Sequence, residues 1–595
     1  MSFHPNDIVK RGRAASVLVT GVLVFLMGGF FRSQVLNHAK YDLQSKTNRL
    51  RELPLPAPRG VIFDRNNKVI ADNVIGYSVS VLAMKEDTLR AVLQRLTGTI
   101  SITPAQMELA VRRFRRAPAR PTVIIPDASF DVVSVLEEHR SQFPGLIIQS
   151  APRRFYPDGP AVASFVGYIG EVSESELAQR SFQDSGYKSG QQVGKQGLEK
   201  QYESLLRGKE GSQYVEVDAR GRIVRNAGPQ QDRAPEAGPD LHTNIDLDLQ
   251  RFVAGIFGDS LQGGAVAIDP QTGGVLALYS APSFDANRFI GGVPAQYYDS
   301  LRTDERRPLY NKALQGTYPP GSTWKLATTA IGLETGTVKM TDKMPIPCTG
   351  GMQFGSRYFR CWKPEGHGYL DLQGAIAKSC DVYFYQLGLR LGIARLVAGG
   401  VSIGFDKKAG IDLPEELKPR FPKTTEYFDN KYGKGRWNNS LVLSMAIGQG
   451  DNSQTILNMA RFYTALGTDG KAARPQVKKG TPERVQVIQL SDAQMDQVRA
   501  ALVGVVNAGT AAASAIKGVQ LAGKTGTAQS GKYVNGKELN HGWFVGFAPA
   551  SKPSIVVAVM IEFGGHGTRA AAIASKIIQA YLHVTPVVDA NSVDG

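Results

Sequence analysis

Three serines in the chain lie three residues before a lysine: Ser185 before Lys188, Ser322 before Lys325 and Ser514 before Lys517. On a helix that spacing puts both side chains on one face, a turn apart. Free serine is a poor nucleophile and needs a base. A lysine that is desolvated or crowded by other cations can supply one. The Ser322 pair stands apart. Pro319, Pro320 and Gly321 precede it as a helix-start signal, and Leu326, Ala330, Ile331 and Leu333 carry an apolar helical pattern on to Gly336. A serine at a helix start also meets positive potential, which favours a developing oxyanion.

Two more constellations follow along the chain. Lys524, Thr525, Gly526 and Thr527 contain the one Lys-Thr-Gly run in the sequence, inside an apolar stretch of strand character. A strand alternates faces, so Lys524 and Gly526 point one way and Thr525 and Thr527 the other. Gly526 permits close approach of a substrate backbone. A lysine and hydroxyls here can bind a carboxylate while an edge strand pairs with an extended peptide. Ser379, Cys380 and Asp381 stand just before the helical pattern of 382–392. Ser-x-Asp also occurs at Ser129, Ser283 and Ser592, and a helix cap is its ordinary role. The order of the three constellations carries more weight than any one of them.

The cysteines form a fourth group. Cys348, Cys361 and Cys380 fall within 33 residues, and His367 lies between the last two, giving Cys-x12-Cys-x5-His-x12-Cys. Four soft or borderline ligands are what a closed structural zinc site requires, although this spacing is not that of a standard zinc finger. A disulfide with one free thiol, or three buried thiols, are the other readings.

These groups need a scaffold. The chain has 595 residues, 42% hydrophobic and 21% charged, which implies several domains with ample core. The net charge is +16, but no zinc finger, aromatic RNA-binding signature or concentrated basic stripe accompanies it. A membrane surface or an anionic wall polymer is therefore expected as partner, not nucleic acid. Residues 14–31 form an uncharged apolar run, preceded by Lys10, Arg11 and Arg13. This predicts an uncleaved anchor over 14–34, with residues 1–13 cytoplasmic and everything later exported. A cleaved signal peptide fits less well, because Phe30, Phe31 and Arg32 offer no small-residue cleavage site.

Beyond the anchor, Arg59–Asn73 reads as a hairpin around Asn66-Asn67, and 86–97, 104–115 and 129–140 carry helical periodicity. Residues 226–240 are rich in Pro and Gly and poor in apolar residues, which marks a domain boundary. After it come an apolar hairpin at 263–280, helices over about 321–510, strands again, and an amphipathic helix from Arg569. Strand, helices, strands, helix is the order of an antiparallel sheet whose first and last elements meet, with helices on its faces.

With these motifs in place the chain resembles the class B penicillin-binding proteins, most closely their elongation-type, penicillin-binding protein 2 branch. RGVIFDRNNKVIADN, RFYPDG, GYIGEV and GKQGLEKQYESLLRG look like the pedestal motifs of that family; AIDPQTGGVLAL, PPGSTWK, AIGQG, GKTGTAQ and HGWFVGFAP look like its transpeptidase motifs. The implied fold is multidomain α+β. A single transmembrane helix leads to an elongated α+β pedestal of the dimerisation type (35–240). A transpeptidase domain like the serine β-lactamases follows (241–583), then a flexible tail (584–595). The implied location is the bacterial inner membrane, single-pass, with the catalytic domain in the periplasm.

The resemblance also implies roles. Ser322 would be acylated by a stem peptide, Lys325 would take its proton, and Ser379 would relay a proton toward the leaving group. Lys524 and Thr525 would hold the terminal carboxylate, and the N–H groups of Ser322 and Thr527 would form the oxyanion hole. Asp381, Gly526 and Thr527 would also line the substrate site. Most relatives carry Asn where this chain has Asp381, although the elongation branch often has Asp; an ionised carboxylate accepts hydrogen bonds but donates none. The family's elongation branch can hold zinc in the region of Cys348, Cys361, His367 and Cys380. Implied partners are peptidoglycan stem peptides, lipid-linked nascent glycan, β-lactams as inhibitors, a SEDS-type glycan polymerase and rod-complex scaffold proteins. A D,D-carboxypeptidase or a non-catalytic activator of wall synthesis are the alternatives.

Overall fold

The computed structural model describes residues 5–37 and 50–584, apart from Met84, Ala119, Pro144, 219–222 and 227–231. The tail expected from residue 584 therefore lies almost wholly outside the described residues, as do residues 38–49. The N-terminal helix, Pro5–Phe31, begins inside the segment read as a cytoplasmic tail and runs on through a π-helical turn, Arg32–Leu36. Val9–Leu36 is the one described helix long and apolar enough to cross a membrane, and its side chains pack against nothing.

The sheet that carries Lys524 has five antiparallel strands, ordered Val275–Ala281, Gly263–Ile268, Ile555–Ile561, His541–Ala548, Ala522–Ala528. Its first and last segments meet as expected: Gly263 lies opposite Ile561, and Ile268 opposite Val556. The strands His541–Ala548 and Ile555–Ile561 are buried along their whole length, so both faces are covered, which explains their unbroken apolar runs. The helices Ile456–Gly467 and Gly567–Tyr581 pack against the sheet. The Ala522–Ala528 strand pairs only with His541–Ala548 and forms the edge.

The pedestal splits into three buried clusters, the smallest of them Leu53, Leu82, Ile147, Val215 and Val217. Val79, Leu89, Val92, Leu96, Phe114 and Leu146 belong to a separate cluster that joins Glu86–Leu96 and Pro104–Arg116 to the long strands Val69–Val81 and Leu146–Phe155. Ile62, Ile70, Tyr156, Phe165 and Leu198 instead share the large core of the sheet domain. Leu241 and His242 pair in parallel with Ile62 and Phe63. The boundary read from composition at 240 is thus a joint held by backbone hydrogen bonds, which need no apolar side chains and leave no hydropathy signal. Arg251 reinforces it with two bonds to Asp158, at 2.6 and 3.0 Å.

The quoted pedestal motifs converge on one buried carboxylate. Glu199 is fully buried and accepts from Arg59 Nε at 2.5 Å, Arg154 Nε at 2.7 Å and the Tyr156 hydroxyl at 3.2 Å. Burial alone would raise its pKa. The two guanidiniums outweigh burial and hold it below the usual carboxylate range.

Candidate active site

Ser322 sits in a 3-10 turn, Gly321–Trp324, that runs directly into the helix Lys325–Glu334. Sequence periodicity predicts an α-helical start here. The tighter turn makes residues three apart eclipse, so it aligns Ser322 with Lys325 more closely than an α-turn would. The turn is fixed from two sides. Gly321 has φ +54°, donates its N–H to Gly448 O at 2.9 Å, and leaves no room for a Cβ, which would stand 2.6 Å from Thr527 O. On Gly448, itself at φ +77°, a Cβ would lie 2.3 Å from Gly321 O.

Lys325 is fully buried. Its Nζ donates to Ser379 O at 2.8 Å, Ser379 Oγ at 3.3 Å and Asp381 Oδ1 at 2.7 Å. Ser379 adopts φ +53°, a left-handed conformation that costs a non-glycine residue about 1–2 kcal/mol. That conformation turns both its carbonyl and its hydroxyl toward one lysine. Asp381 opens the helix Asp381–Ile403. The Ser322 hydroxyl makes no hydrogen bond among the described residues.

Lys524 is also fully buried, and its Nζ donates to Thr525 O at 3.2 Å. Burial pushes its pKa well below the ordinary lysine value, and the charge of Lys325 pushes the same way; Asp381 opposes them. The two lysines and Asp381 are therefore one electrostatic unit. Gly526 faces the serine turn, where a Cβ would meet Pro320 O at 2.9 Å. Thr525 Oγ1 lies 2.6 Å from Thr510 Oγ1, and Thr527 is partly exposed beside the turn. The structure thus brings Ser322, Lys325, Ser379, Asp381 and the strand Lys524–Thr527 into one site. The other Ser-x-x-Lys pairs lie elsewhere: Ser185 bonds to a neighbouring pedestal turn, and Ser514 ends a separate 3-10 turn.

The cysteine group abuts this site. The ligand atoms of Cys348, Cys361, His367 and Cys380 all lie within 4.8 Å of one another, and none of the three thiols is in a disulfide. His367 Nδ1 stands 3.5 Å from Cys348 Sγ and 3.6 Å from Cys361 Sγ. A hydrogen bond between Cys361 and Cys380 lowers the pKa of the Cys361 thiol and raises that of Cys380. Around a tetrahedral zinc with Zn–S near 2.3 Å, ligand atoms stand about 3.5–4 Å apart, so the donor set fits the ion. Residues 351–360 form a hairpin between the first two cysteines.

Trp362, directly after Cys361, escapes sequence reasoning, since no spacing rule marks it. Its backbone N–H donates to Asp381 Oδ2 at 3.0 Å, and its indole N–H to Lys378 O and Ser379 O, each at 3.1 Å. The Cys insert therefore holds the Ser379 loop through a tryptophan as well as through Cys380. Thr510 is a further site residue that only the tertiary arrangement reveals, while Gly448 belongs to the AIGQG run and gains its place against Gly321 from the fold.

Comparison with known proteins agrees with this geometry. Residues 263–579 match the model of the penicillin-binding protein transpeptidase domain, and 54–243 match the penicillin-binding protein dimerisation domain. The chain is 33% identical to the peptidoglycan D,D-transpeptidase MrdA of Acinetobacter baumannii, over 96% of this chain and 88% of the relative. It is 29% identical to MrdA of Escherichia coli K12, over 94% and 92%. Among solved structures, the complex of penicillin-binding protein PBP2 with MreC from Helicobacter pylori superposes with TM-score 0.77 at 26% identity, covering 90% of this chain and 99% of that one. A chain of a peptidoglycan synthase complex, described as coordinating polymerization and crosslinking, superposes with TM-score 0.70 at 28% identity, covering 97% and 99%. With a dimerisation domain and a transpeptidase domain matched along most of its length, the chain belongs to the class B penicillin-binding proteins of the penicillin-binding protein 2 type.

Proposed function

We propose that this chain is a peptidoglycan D,D-transpeptidase that forms an acyl-enzyme on Ser322 and passes the acyl group to a neighbouring stem peptide during wall elongation. The observation that carries the reading is the buried Lys325, whose Nζ reaches Ser379 and Asp381 while the Lys-Thr-Gly strand covers the serine turn. Ser322 attacks the carbonyl of the penultimate D-Ala, and the bond to the terminal D-Ala breaks. Lys325 takes the serine proton, and Ser379, within hydrogen-bond reach of it, delivers a proton to the leaving amine. The N–H groups of Ser322 and Thr527 receive the oxyanion, and the open edge of Ala522–Ala528 pairs with the donor peptide.

Asp381 acquires a definite role in this scheme. It pairs with Lys325, while burial and the charge of Lys325 push the pKa of Lys524 well below the ordinary lysine value. A substrate carboxylate arriving beside Lys524 and Thr525 favours the charged form of Lys524.

The same reading covers β-lactams, whose carboxylate takes the place of the terminal one. Incubation with labelled penicillin followed by peptide mass spectrometry is expected to place the adduct on Ser322. An adduct elsewhere, or cross-linking retained in Ser322→Ala, would refute the assignment. The N-terminal helix supports a single-pass anchor in the inner membrane with the catalytic domain in the periplasm. The structural relatives with MreC and in a synthase complex support a scaffold protein and a SEDS-type polymerase as partners. Ser322→Ala is expected to keep stimulation of the polymerase.

Cys348, Cys361, His367 and Cys380 would hold one structural zinc. When bound, the ion supplies no chemistry to the reaction; it clamps the insert to the Ser379 loop. Metal analysis of purified protein is expected to give about one zinc per chain, as a four-ligand closed site implies; a metal-free protein with the same melting temperature would sink this part of the reading.

A further inference from the structure

Tyr318 lies four residues before Ser322, with Pro319, Pro320 and Gly321 between them. Proline fixes φ, so this link has few soft torsions, and a shift at Tyr318 carries to the serine turn. The backbone of Tyr318 is tied to Gln454 twice: its N–H donates to Gln454 O at 2.9 Å, and its carbonyl accepts from Gln454 N–H at 2.8 Å. Its ring is buried and stands edge-on to His541 and Trp543, with centroids 5.2 and 6.4 Å away. Those two residues lie opposite Ala528 and Gly526 in the sheet, so the ring packs beside the strand that carries Lys524. Gly316 makes room for it, since a Cβ there would stand 2.3 Å from Cε2 of the ring.

The hydroxyl of Tyr318 donates to Glu562 Oε1 at 2.8 Å. Burial and the charge of Glu562 push the pKa of the phenol up, so the hydroxyl keeps its proton and serves as donor. Glu562 is itself buried and follows directly on the strand Ile555–Ile561. Its N–H donates to Gln262 O at 2.8 Å, beside the start of the strand Gly263–Ile268, which ties its backbone to the sheet. Arg307 lies 3.4 Å from the same carboxylate oxygen but is more than half exposed, and such a pair is worth little. Lys312 is fully buried and donates to Arg307 O at 3.2 Å. The bond from Tyr318 is the buried, charge-assisted one, which is the stronger kind.

We propose that Tyr318 is a positioning residue for acylation, its bond to Glu562 setting the serine turn in place against the Lys-Thr-Gly strand. The inference rests on Ser322 being the nucleophile. Ser322 attacks a carbonyl held on that strand only if two surfaces meet correctly. Gly321 belongs to one and Thr527 to the other, and they are in contact. The bonds to Gln454 hold Tyr318 to the segment that leads into the helix Ile456–Gly467, and the bond to Glu562 holds it to the sheet. Tyr318 is thus pinned to both sides, and Pro319-Pro320-Gly321 passes the fixed spacing on to Ser322. Phenylalanine at this position keeps the ring and the backbone bonds and frees the link to the sheet. A misplacement of about 1 Å between reacting groups costs up to about 100-fold in rate.

The test follows acylation of the full-length protein in detergent by a fluorescent penicillin. It separates the limiting first-order constant from the half-saturating concentration. Both describe the labelled fraction, so partial unfolding of a variant does not enter. Labelling of the parent on Ser322 tests the functional reading; the positioning role is read from the ratio of each variant to the parent. Tyr318→Phe is expected to lower the limiting constant about tenfold, with half-saturation within about twofold. Glu562→Gln loses the charge but keeps an oxygen for the hydroxyl, so its limiting constant is expected to stay within about threefold of the parent even where its melting temperature falls. Glu562→Leu removes the acceptor and is expected to match Tyr318→Phe. The double variant of Tyr318→Phe and Glu562→Leu is expected to be no slower than either alone, because both break one bond. A parental constant in Tyr318→Phe, losses that multiply in the double variant, or Glu562→Gln as slow as Glu562→Leu would overturn the proposal and leave Tyr318 a packing residue.

Discussion

Replacing Lys524 by Met separates what this residue costs the fold from what it gives the reaction. Its side chain is fully buried, and its one hydrogen-bond partner among the described residues is the carbonyl of Thr525. Burial and the charge of Lys325 lower its pKa well below the ordinary value, so the folded state releases the proton at a pH where the unfolded chain still binds it. Between the lowered value and about 10.4 the unfolded state holds one more proton, and stability rises with pH at about 1.4 kcal/mol per unit. Below the lowered value both states are charged and the full cost is present; above 10.4 both are neutral and it is gone. Met fills similar volume and does not titrate. The stability of the parent relative to Lys524→Met should therefore climb as pH rises toward about 10.4, the climb starting once the pH passes the lowered folded-state pKa.

Denaturant unfolding of both proteins at stepped pH values reads this difference directly. Acylation by penicillin brings a carboxylate to Lys524 and should flatten the slope. On the functional side, Met forfeits a charge-assisted bond to that carboxylate, about 1.5–3 kcal/mol, or roughly 10- to 150-fold in acylation efficiency. Parallel stability curves would show that burial does not lower the pKa of Lys524, and this reasoning would fall.

Three other substitutions probe the supports of the site. Asp381→Asn keeps one acceptor where two are used, so either Lys325 or the Trp362 N–H loses its partner; acylation should drop about tenfold and the melting temperature should fall, both read on purified protein. Trp362→Phe removes only the indole donor to Lys378 O and Ser379 O, worth about 0.5–1.5 kcal/mol, and should slow acylation up to about tenfold at unchanged melting temperature. Glu199→Gln strips the counter-ion from two buried arginines and should destabilise by about 3–5 kcal/mol in denaturant unfolding, with acylation of the remaining folded fraction intact.

The sequence alone was enough to read the elements that depend on local pattern. Alternating and unbroken apolar runs located the strands at 263–281 and 522–561, and capping and periodicity located the helices at 86–97, 104–115 and 129–140, all within a few residues of their positions in the fold. Motif order picked Ser322 from three equivalent spacings, because Lys524 and Ser379 follow it in a fixed sequence. Contacts across the chain were another matter. Nothing in the one-dimensional pattern shows that Ser379 turns left-handed, that Trp362 reaches back to its carbonyl, or that Asp381 faces Lys325 instead of solvent. Those facts depend on which surfaces meet when the insert, the helices and the edge strand close on the serine turn. Charge is decided there too: Lys524 is an ordinary lysine in the sequence, and only burial beside a second cation pushes its pKa down.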